Sequence, residues 1–389
     1  MAYHNELGKK GEKIAAAYLA KNGYAILAQN FYFDKAELDI VAQKNKGTIV
    51  VVEVKTRASD FFGNPQDFVS PSKIKLLLKA ANEYVISKNL INFSDLAKKD
   101  IFDLIKLANN FKSEDSLDYR NENLFPDKKI VSMFCEPSTR TKLSFEIAAH
   151  NLGAKFIDFD LSNSSMKKGE TLEDTMDAIE MMGVDLCILR HTESVIHEFV
   201  KNFSNMQFIN AGEGSISHPT QTLIDLMTIH ESKEKFENLN ITIVGDLDHS
   251  RVVNSFIEAI QIIGYKSITF CGHPDLCKNF IESSIGNFEP ELETALQDAD
   301  VVMTLRIQNE RLSEKLTIGA SDYVERYQIN VDSLQVADPE MILLHPGPVN
   351  FGIELSKEAS ELENCKIRNQ IFNGVGMRMA VLTKLFSQA

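Results

Sequence analysis

From residue 130 onward the chain carries eight short strand candidates, most of them apolar runs, at 130–134, 154–159, 185–189, 207–210, 240–245, 267–271, 300–305 and 340–344, and helical patterns separate most of them. Runs of this length, rich in Val, Ile and Leu with little polar alternation, predict strands buried on both faces. Strands that alternate with helices pair in parallel, because each helical crossover returns the chain to the same end of the sheet. The body is therefore expected to be α/β, with two doubly wound parallel sheets separated by a break near 231–239. A chain of 389 residues has room for these two units and a smaller one before them.

Sheets of this kind bind ligands just beyond the C-terminal ends of their strands. Behind the run at 130–134 comes Pro137-Ser138-Thr139-Arg140-Thr141, leading into a helical pattern at Leu143, Ile147, Ala148 and Leu152. A helix N-terminus offers unpaired N–H groups and partial positive charge; two hydroxyl types and a guanidinium aimed at the same point suit a phosphate. Ser and Thr there also serve as ordinary N-caps. Further polar clusters close the later strands: Arg190-His191; Asn210 to Gly214, leading to His218-Pro219-Thr220-Gln221; Gly245-Asp246 with Arg251; Arg306, Gln308, Glu310 and Arg311; and His345-Pro346-Gly347-Pro348. Any one of them can be a plain strand end or helix start. Their recurrence at consecutive strand ends points to one composite site. Gly245-Asp246 is not a dinucleotide fingerprint, since Gly-x-Gly-x-x-Gly is absent.

Charge separates a leader from this body. Residues 1–90 hold 13 Lys+Arg against 9 Asp+Glu, and the remainder 28 against 46. A basic leader on an acidic body suggests domains of separate origin, and the acidic body disfavours nucleic acid as its main ligand. Leader helices are expected over 8–20 and 72–88, with strands at 36–42 and 48–55 joined by a turn at 44–47. On such a hairpin Asp39, Glu53 and Lys55 fall on one face, where two carboxylates and a lysine could hold Mg²⁺ against a phosphodiester, or simply form a solvated charged face. A further helix is expected over 95–111, which puts a tight boundary near 88–93. The N-terminus lacks signal-peptide layout, and no apolar run approaches a membrane span. Five scattered cysteines form no Cys-x-x-Cys and argue against a disulfide framework, so the cytoplasm is the expected location.

From about residue 90 to the C-terminus the chain resembles the aspartate carbamoyltransferase catalytic family. The resemblance is carried by Pro137 to Glu146, Ser164-Ser165-Met166-Lys167-Lys168-Gly169-Glu170-Thr171, Arg190-His191, Asn210 to Gln221, Gly245 to Arg251, Arg306 to Arg311, His345 to Pro348, and Gln370 through Leu382. It implies the carbamoyltransferase fold and transfer of a carbamoyl group from carbamoyl phosphate to L-aspartate, in de novo pyrimidine (UMP) biosynthesis, with no cofactor. It also implies roles. Ser138, Thr139, Arg140, Thr141 and Arg190 would hold the phosphate. His218 and Gln221 would meet the carbamoyl end, with His218 and Thr141 polarising its carbonyl. Backbone at Gly347 and Pro348 would line that site. Arg251, Arg306 and Gln308 would take the aspartate carboxylates. Ser164 and Lys168, on a polar loop, would reach a neighbouring subunit's site in a homotrimer. Phe351 and Glu213 depart from the family's usual Arg and Asp.

The leader, through Gly8-x-x-Gly11-Glu12, Val52 to Arg57 and Phe62-Gly63-Asn64-Pro65, resembles the YraN-type family, itself similar to PD-(D/E)xK nucleases. That family usually continues with another strand after the second helix; here the chain turns into the transferase, so the domain is truncated. The expected division is a nuclease-like α+β domain at 1–88, a carbamoyl-phosphate domain at 89–230 to which a C-terminal helix at 370–389 returns, and an aspartate domain at 231–369. The alternatives are a carbamoyltransferase for another amine such as ornithine, and a nucleic-acid enzyme working through residues 1–88.

Overall fold

The computed structural model describes residues 2–33, 35–44, 48–56, 70–87, 89–113, 118–161, 164–203, 205–308 and 318–387. The motif positions Arg57, Phe62 to Pro65, Ser162, Asn163, Asn309, Glu310 and Arg311, and the turn residues 45–47, lie outside the described residues.

The leader consists of α1 (Ala2–Lys21), β1 (Tyr24–Phe33), β2 (Ala36–Lys44), β3 (Thr48–Val52) and α2 (Pro71–Ser87), with the three strands antiparallel in the order β1-β2-β3. The sequence reading places the hairpin but omits β1. That strand shows no clean alternation: its register shifts between Ile26 and Ala28, and Asn30 is left-handed at φ 54°. The sheet is covered on both faces. Leu38 and Val41 pack with Ala80 and Tyr84 of α2, while Ile40 and Ala42 pack with Ala16 of α1. Gly11 permits α1 to lie close against the chain beyond β3, since a Cβ there would sit 1.9 Å from Thr56 Oγ1.

The chain then enters the body without a spacer. Leu90 pairs in parallel with Ile209; its N–H donates to Phe208 O (3.0 Å) and its carbonyl accepts from Asn210 N (2.9 Å). Asn89 Oδ1 accepts from Phe208 N at 2.6 Å. Residues 89–91 thus extend the edge of the first body sheet. After α3 (Lys98–Asn110), that sheet is built from β4 (Lys129–Phe134), β5 (Lys155–Phe159), β6 (Leu186–His191) and β7 (Gln207–Glu213), all parallel in the order β5-β4-β6-β7. Its helices include α4 (Thr139–Asn151), α5 (Leu172–Met181), the single-turn α6 (Ile196–Phe199) and α7 (Pro219–Ser232).

The second body sheet holds β8 (Asn240–Val244), β9 (Ser267–Cys271), β10 (Asn287–Phe288), β11 (Val301–Thr304) and β12 (Ile342–Leu344), parallel in the order β10-β9-β8-β11-β12. Around it lie α8 (Arg251–Ile263), α9 (Leu292–Leu296), α10 (Ala320–Tyr327) and α11 (Lys357–Ser360). The last helix, α12 (Ile367–Ser387), packs on α3, α4 and α7 and so returns to the first sheet's side. All eight expected body strands form; β10 is an addition too short to show periodicity. One buried apolar cluster spans both body units, with Leu223 and Met227 of α7 beside Val253 and Phe256 of α8, while Val131, Met133, Met176 and Leu189 belong to a second cluster in the first unit.

Candidate active site

Every body cluster sits where its strand stops. Ser138 is the N-cap of α4 directly behind β4, and Thr139, Arg140 and Thr141 form that helix's first turn. Arg190 lies at the end of β6, His218 is the N-cap of α7, Arg251 opens α8 behind β8, Arg306 follows β11, and Gly347-Pro348 follows β12. All of these, together with Gln221 and Gln308, line one cleft of about 960 Å³. Ser164 and Lys168 do not: Ser164 caps a single 3₁₀ turn and Lys168 is exposed, both away from the cleft.

The cleft is strongly cationic. Arg140, Arg190, Arg251, Arg306 and Arg378 line it, against Glu136 as its sole lining carboxylate among the described residues. Glu136 escaped the sequence reading, which began its motif one residue later. Its Oε1 binds Arg190 Nη2 at 2.6 Å and Arg251 Nη2 at 2.7 Å. One carboxylate therefore joins guanidiniums from both sheets. The available signal was the surplus of strand-end arginines, which requires a nearby anion when no ligand is bound. Burial, then the neighbouring Arg251 charge, lowers Arg190 to about 10, with Glu136 opposing.

Two glycines make the arginines' approach possible. Gly212 adopts φ +122°, and a Cβ there would lie 2.5 Å from Arg251 Nη1 and 2.8 Å from Arg190 Nη1. Gly347 adopts φ +73°, and a Cβ would lie 2.8 Å from Arg140 Cζ. Arg190 Nη1 also donates to Ala211 O at 3.0 Å, fixing the guanidinium over the loop.

His218 is 5% exposed, and its backbone N–H donates to Ser255 Oγ at 2.7 Å. Burial first, then the charges of Arg190, Arg378 and Arg251, hold its imidazole well below the usual range, so it is neutral at pH 7. A neutral ring can still donate one N–H to a carbonyl oxygen, without competing with the arginines for a proton.

On the second sheet's side, fully buried Asp246 holds the loop: it accepts from Gln308 N at 3.0 Å and meets His249 Nδ1 at 2.7 Å. Gln308 Nε2 donates to His249 O at 2.8 Å. His345 does not reach for a ligand. Its Nδ1 accepts from Gly347 N at 2.8 Å and its Nε2 lies 3.3 Å from Glu354 Oε1, so it braces the turn, in which Gly347-Pro348 is cis. Glu213 is buried and accepts from Ile196 N at 2.7 Å, and Phe351 is 58% exposed; neither lines the cleft. Beneath the cleft, burial pushes Asp225 up to about 7 against hydrogen bonds from Gln370 and Gln221.

In the leader the expected trio does come together. Asp39 Oδ2 accepts from Val54 N at 2.6 Å, and Lys55 pairs with Glu53. The sequence reading missed Lys73 of α2, which pairs with the same Glu53 oxygen, leaving Glu53 Oε2 buried without a hydrogen-bond partner among the described residues. Two ammonium groups already compensate that carboxylate, and no group of three or more His, Cys, Asp or Glu among the described residues is arranged to hold a metal ion. This donor set does not make a ready Mg²⁺ site.

The chain is a carbamoyltransferase: its two parallel α/β sheets meet at a cationic cleft, and its two body units match that family's two domains. Residues 88–231 match the family described as aspartate/ornithine carbamoyltransferase, carbamoyl-P binding domain, and residues 237–385 match its Asp/Orn binding domain. The chain belongs to the aspartate carbamoyltransferase catalytic-subunit family: it is 39% identical to the catalytic subunit of Koribacter versatilis over 77% of this chain and 98% of that one, and 38% identical to that of Campylobacter hominis over 77% and 97%. Aspartate transcarbamoylase from Trypanosoma cruzi, solved with carbamoyl phosphate, is similar at 27% identity and TM-score 0.68 over 77% of this chain and 97% of that one. Ornithine carbamoyltransferase from Thermus thermophilus is similar at 25% identity and TM-score 0.63, covering 77% and 98%.

Residues 11–107 match uncharacterised protein family UPF0102. Its match thus runs past α2 into 89–107, yet in the structure that stretch pairs with β7 and begins α3. The three-stranded leader sheet gains no strand after α2 among the described residues.

Proposed function

We propose that this carbamoyltransferase moves the carbamoyl group of carbamoyl phosphate onto the amine of L-aspartate, releasing N-carbamoyl-L-aspartate and phosphate in pyrimidine (UMP) biosynthesis. The carrying observation is the convergence of five arginines on one cleft with a single opposing carboxylate. Such a cleft suits a phosphate and a dicarboxylate together and repels a cationic side chain such as ornithine's. Ser138, Thr139, Arg140, Thr141 and Arg190 take the phosphate. Arg251, Arg306 and Gln308 take aspartate. Gln221 and the backbone at Gly347 and Pro348 meet the carbamoyl amine.

The amine attacks the carbamoyl carbon, the new C–N bond forms, and the C–O bond to phosphate breaks. Negative charge gathers on the carbonyl oxygen, where the N–H of His218 and the hydroxyl of Thr141 stabilise it. The departing phosphate takes the amine proton. Positioning and fixed charge carry the acceleration, with no covalent intermediate.

The same reading assigns 89–230 with 370–389 to carbamoyl phosphate, 231–369 to aspartate, and 1–88 to a fused nuclease-like module. Lys168 and Ser164, exposed or half-buried away from their own cleft, suit a homotrimer in which they complete a neighbour's site. Five free cysteines fit a reducing cytoplasm. The test is a carbamoylation assay offering aspartate and ornithine separately. Turnover of aspartate alone is expected; turnover of ornithine alone overturns the assignment. Lys168→Ala and Arg140→Ala chains, each inactive, should regain activity on subunit exchange, and no recovery after verified exchange removes the shared site.

A further inference from the structure

Beneath the carbamoyl end of the cleft lies a polar relay whose buried acid has no place in the chemistry above. Asp225 is fully buried in α7. Its Oδ1 accepts from Gln221 Nε2 (2.9 Å), one helical turn away on the same face, and from Gln370 Nε2 (2.8 Å) of α12. Gln370 Oε1 in turn accepts the His345 N–H at 3.0 Å. A backbone N–H can only donate, so Gln370 has to present its oxygen to His345 and its nitrogen to Asp225. Asp225 Oδ1 accepts whether the group is ionised or carries a proton on its other oxygen, so Gln221 likewise presents its nitrogen inward. The Gln221 oxygen is then the end left for the cleft that Gln221 lines.

We propose that Asp225 is a positioning residue that confers selectivity for a carbamoyl group over an acyl group lacking the amine. This rests on the transferase reading above. A carbamoyl NH₂ offers two donors and needs acceptors facing it. An untethered glutamine presents either end, and its NH₂ end would face the substrate's NH₂ donor to donor. Asp225 removes that choice for Gln221. Through Gln370 it also holds the His345 end of the turn that carries Gly347 and Pro348. The carboxylate thus orders both walls of the amine pocket from below, without touching the substrate.

Acetyl phosphate tests this, because it keeps the phosphate and carbonyl and replaces NH₂ by methyl. On the full chain, the KM for carbamoyl phosphate and the competitive inhibition constant for acetyl phosphate are measured for wild type, Asp225→Leu and Asp225→Asn. In Asp225→Leu the KM is expected to rise about 10- to 100-fold, the range for losing one well-placed buried hydrogen bond, while acetyl phosphate changes by less than about threefold. Asp225→Asn keeps an acceptor at the shared oxygen and should retain most of the selectivity. If the Leu variant does not fold, Asp225→Ser, whose hydroxyl falls short of Gln221, gives the same reading. A parallel loss for both compounds, or unchanged selectivity in the folded variants, overturns the proposal while wild-type turnover leaves the transferase reading standing. A wild type that does not use carbamoyl phosphate overturns both.

Discussion

Gly212→Ala should cripple the cleft while leaving the chain folded. At φ +122° the backbone sits where an L side chain is strained, which costs on the order of 1–3 kcal/mol of stability. The new methyl would also fall 2.5 Å from Arg251 Nη1 and 2.8 Å from Arg190 Nη1, so both guanidiniums must withdraw by several tenths of an ångström. Arg190 then loses its 3.0 Å bond to Ala211 O and, on the roles proposed above, its aim at the phosphate, and Arg251 its aim at aspartate. Each charge-assisted hydrogen bond lost is worth about 1.5–3 kcal/mol, so kcat/KM should fall roughly 10- to 150-fold for each substrate. Steady-state kinetics varying carbamoyl phosphate and aspartate in turn, with thermal melts alongside, measure both effects. Gly214→Ala is the control. It is also left-handed, at φ +48°, but its Cβ would meet Thr192 O at 3.4 Å and no arginine, so it should lose stability and keep activity. If Gly212→Ala keeps kcat/KM within about threefold for both substrates, the steric reasoning fails.

Glu136→Gln leaves two adjacent guanidiniums without their shared anion and should destabilise the unliganded chain by roughly 1–3 kcal/mol, with added inorganic phosphate restoring part of the melting temperature; an unchanged melt speaks against the clamp. His218, whose folded pKa is depressed, adds stability that is full above its unfolded value and is lost as pH falls below about 6.5, because the unfolded chain then binds a proton the native chain refuses. Activity should accordingly show no imidazole limb between pH 6.5 and 8, and an acid limb abolished by His218→Asn would refute a neutral ring. For the leader, Mg²⁺ or Mn²⁺ should leave the full chain's melt unchanged and elicit no DNA cleavage above that of Glu53→Ala; metal-dependent cutting lost in that variant would show that Lys73 gives way to a cation.

What the sequence disclosed, and what it hid, follow one physical line. Arg140, Arg190, His218, Arg251 and Arg306 were legible because each stands in a contiguous polar cluster at the end of a strand whose apolar run announces itself. The groups behind them were not. Asp225 and Gln370 lie inside helical patterns, where a polar residue reads as solvent-facing, and only the packing of α12 on α7 buries them together. Lys73 stands in an ordinary helical pattern, and only the crossing of α2 over the hairpin brings it to Glu53. The strand at 24–33 was hidden by its bulge, and the edge pairing of 89–91 by its brevity, since three residues carry no period.

That short pairing also sets how the leader is attached. Ser87 closes α2 and Asn89 is already bonded to β7, so a single residue intervenes. One residue adds only about 3.5 Å of reach, so the leader has no tether on which to wander. A pull on it would be taken up first by the ladder along β7, not by slack chain. The leader's last helix therefore stays within one residue's reach of the transferase sheet, one copy for every catalytic chain. Fusion here amounts to an enforced one-to-one dose.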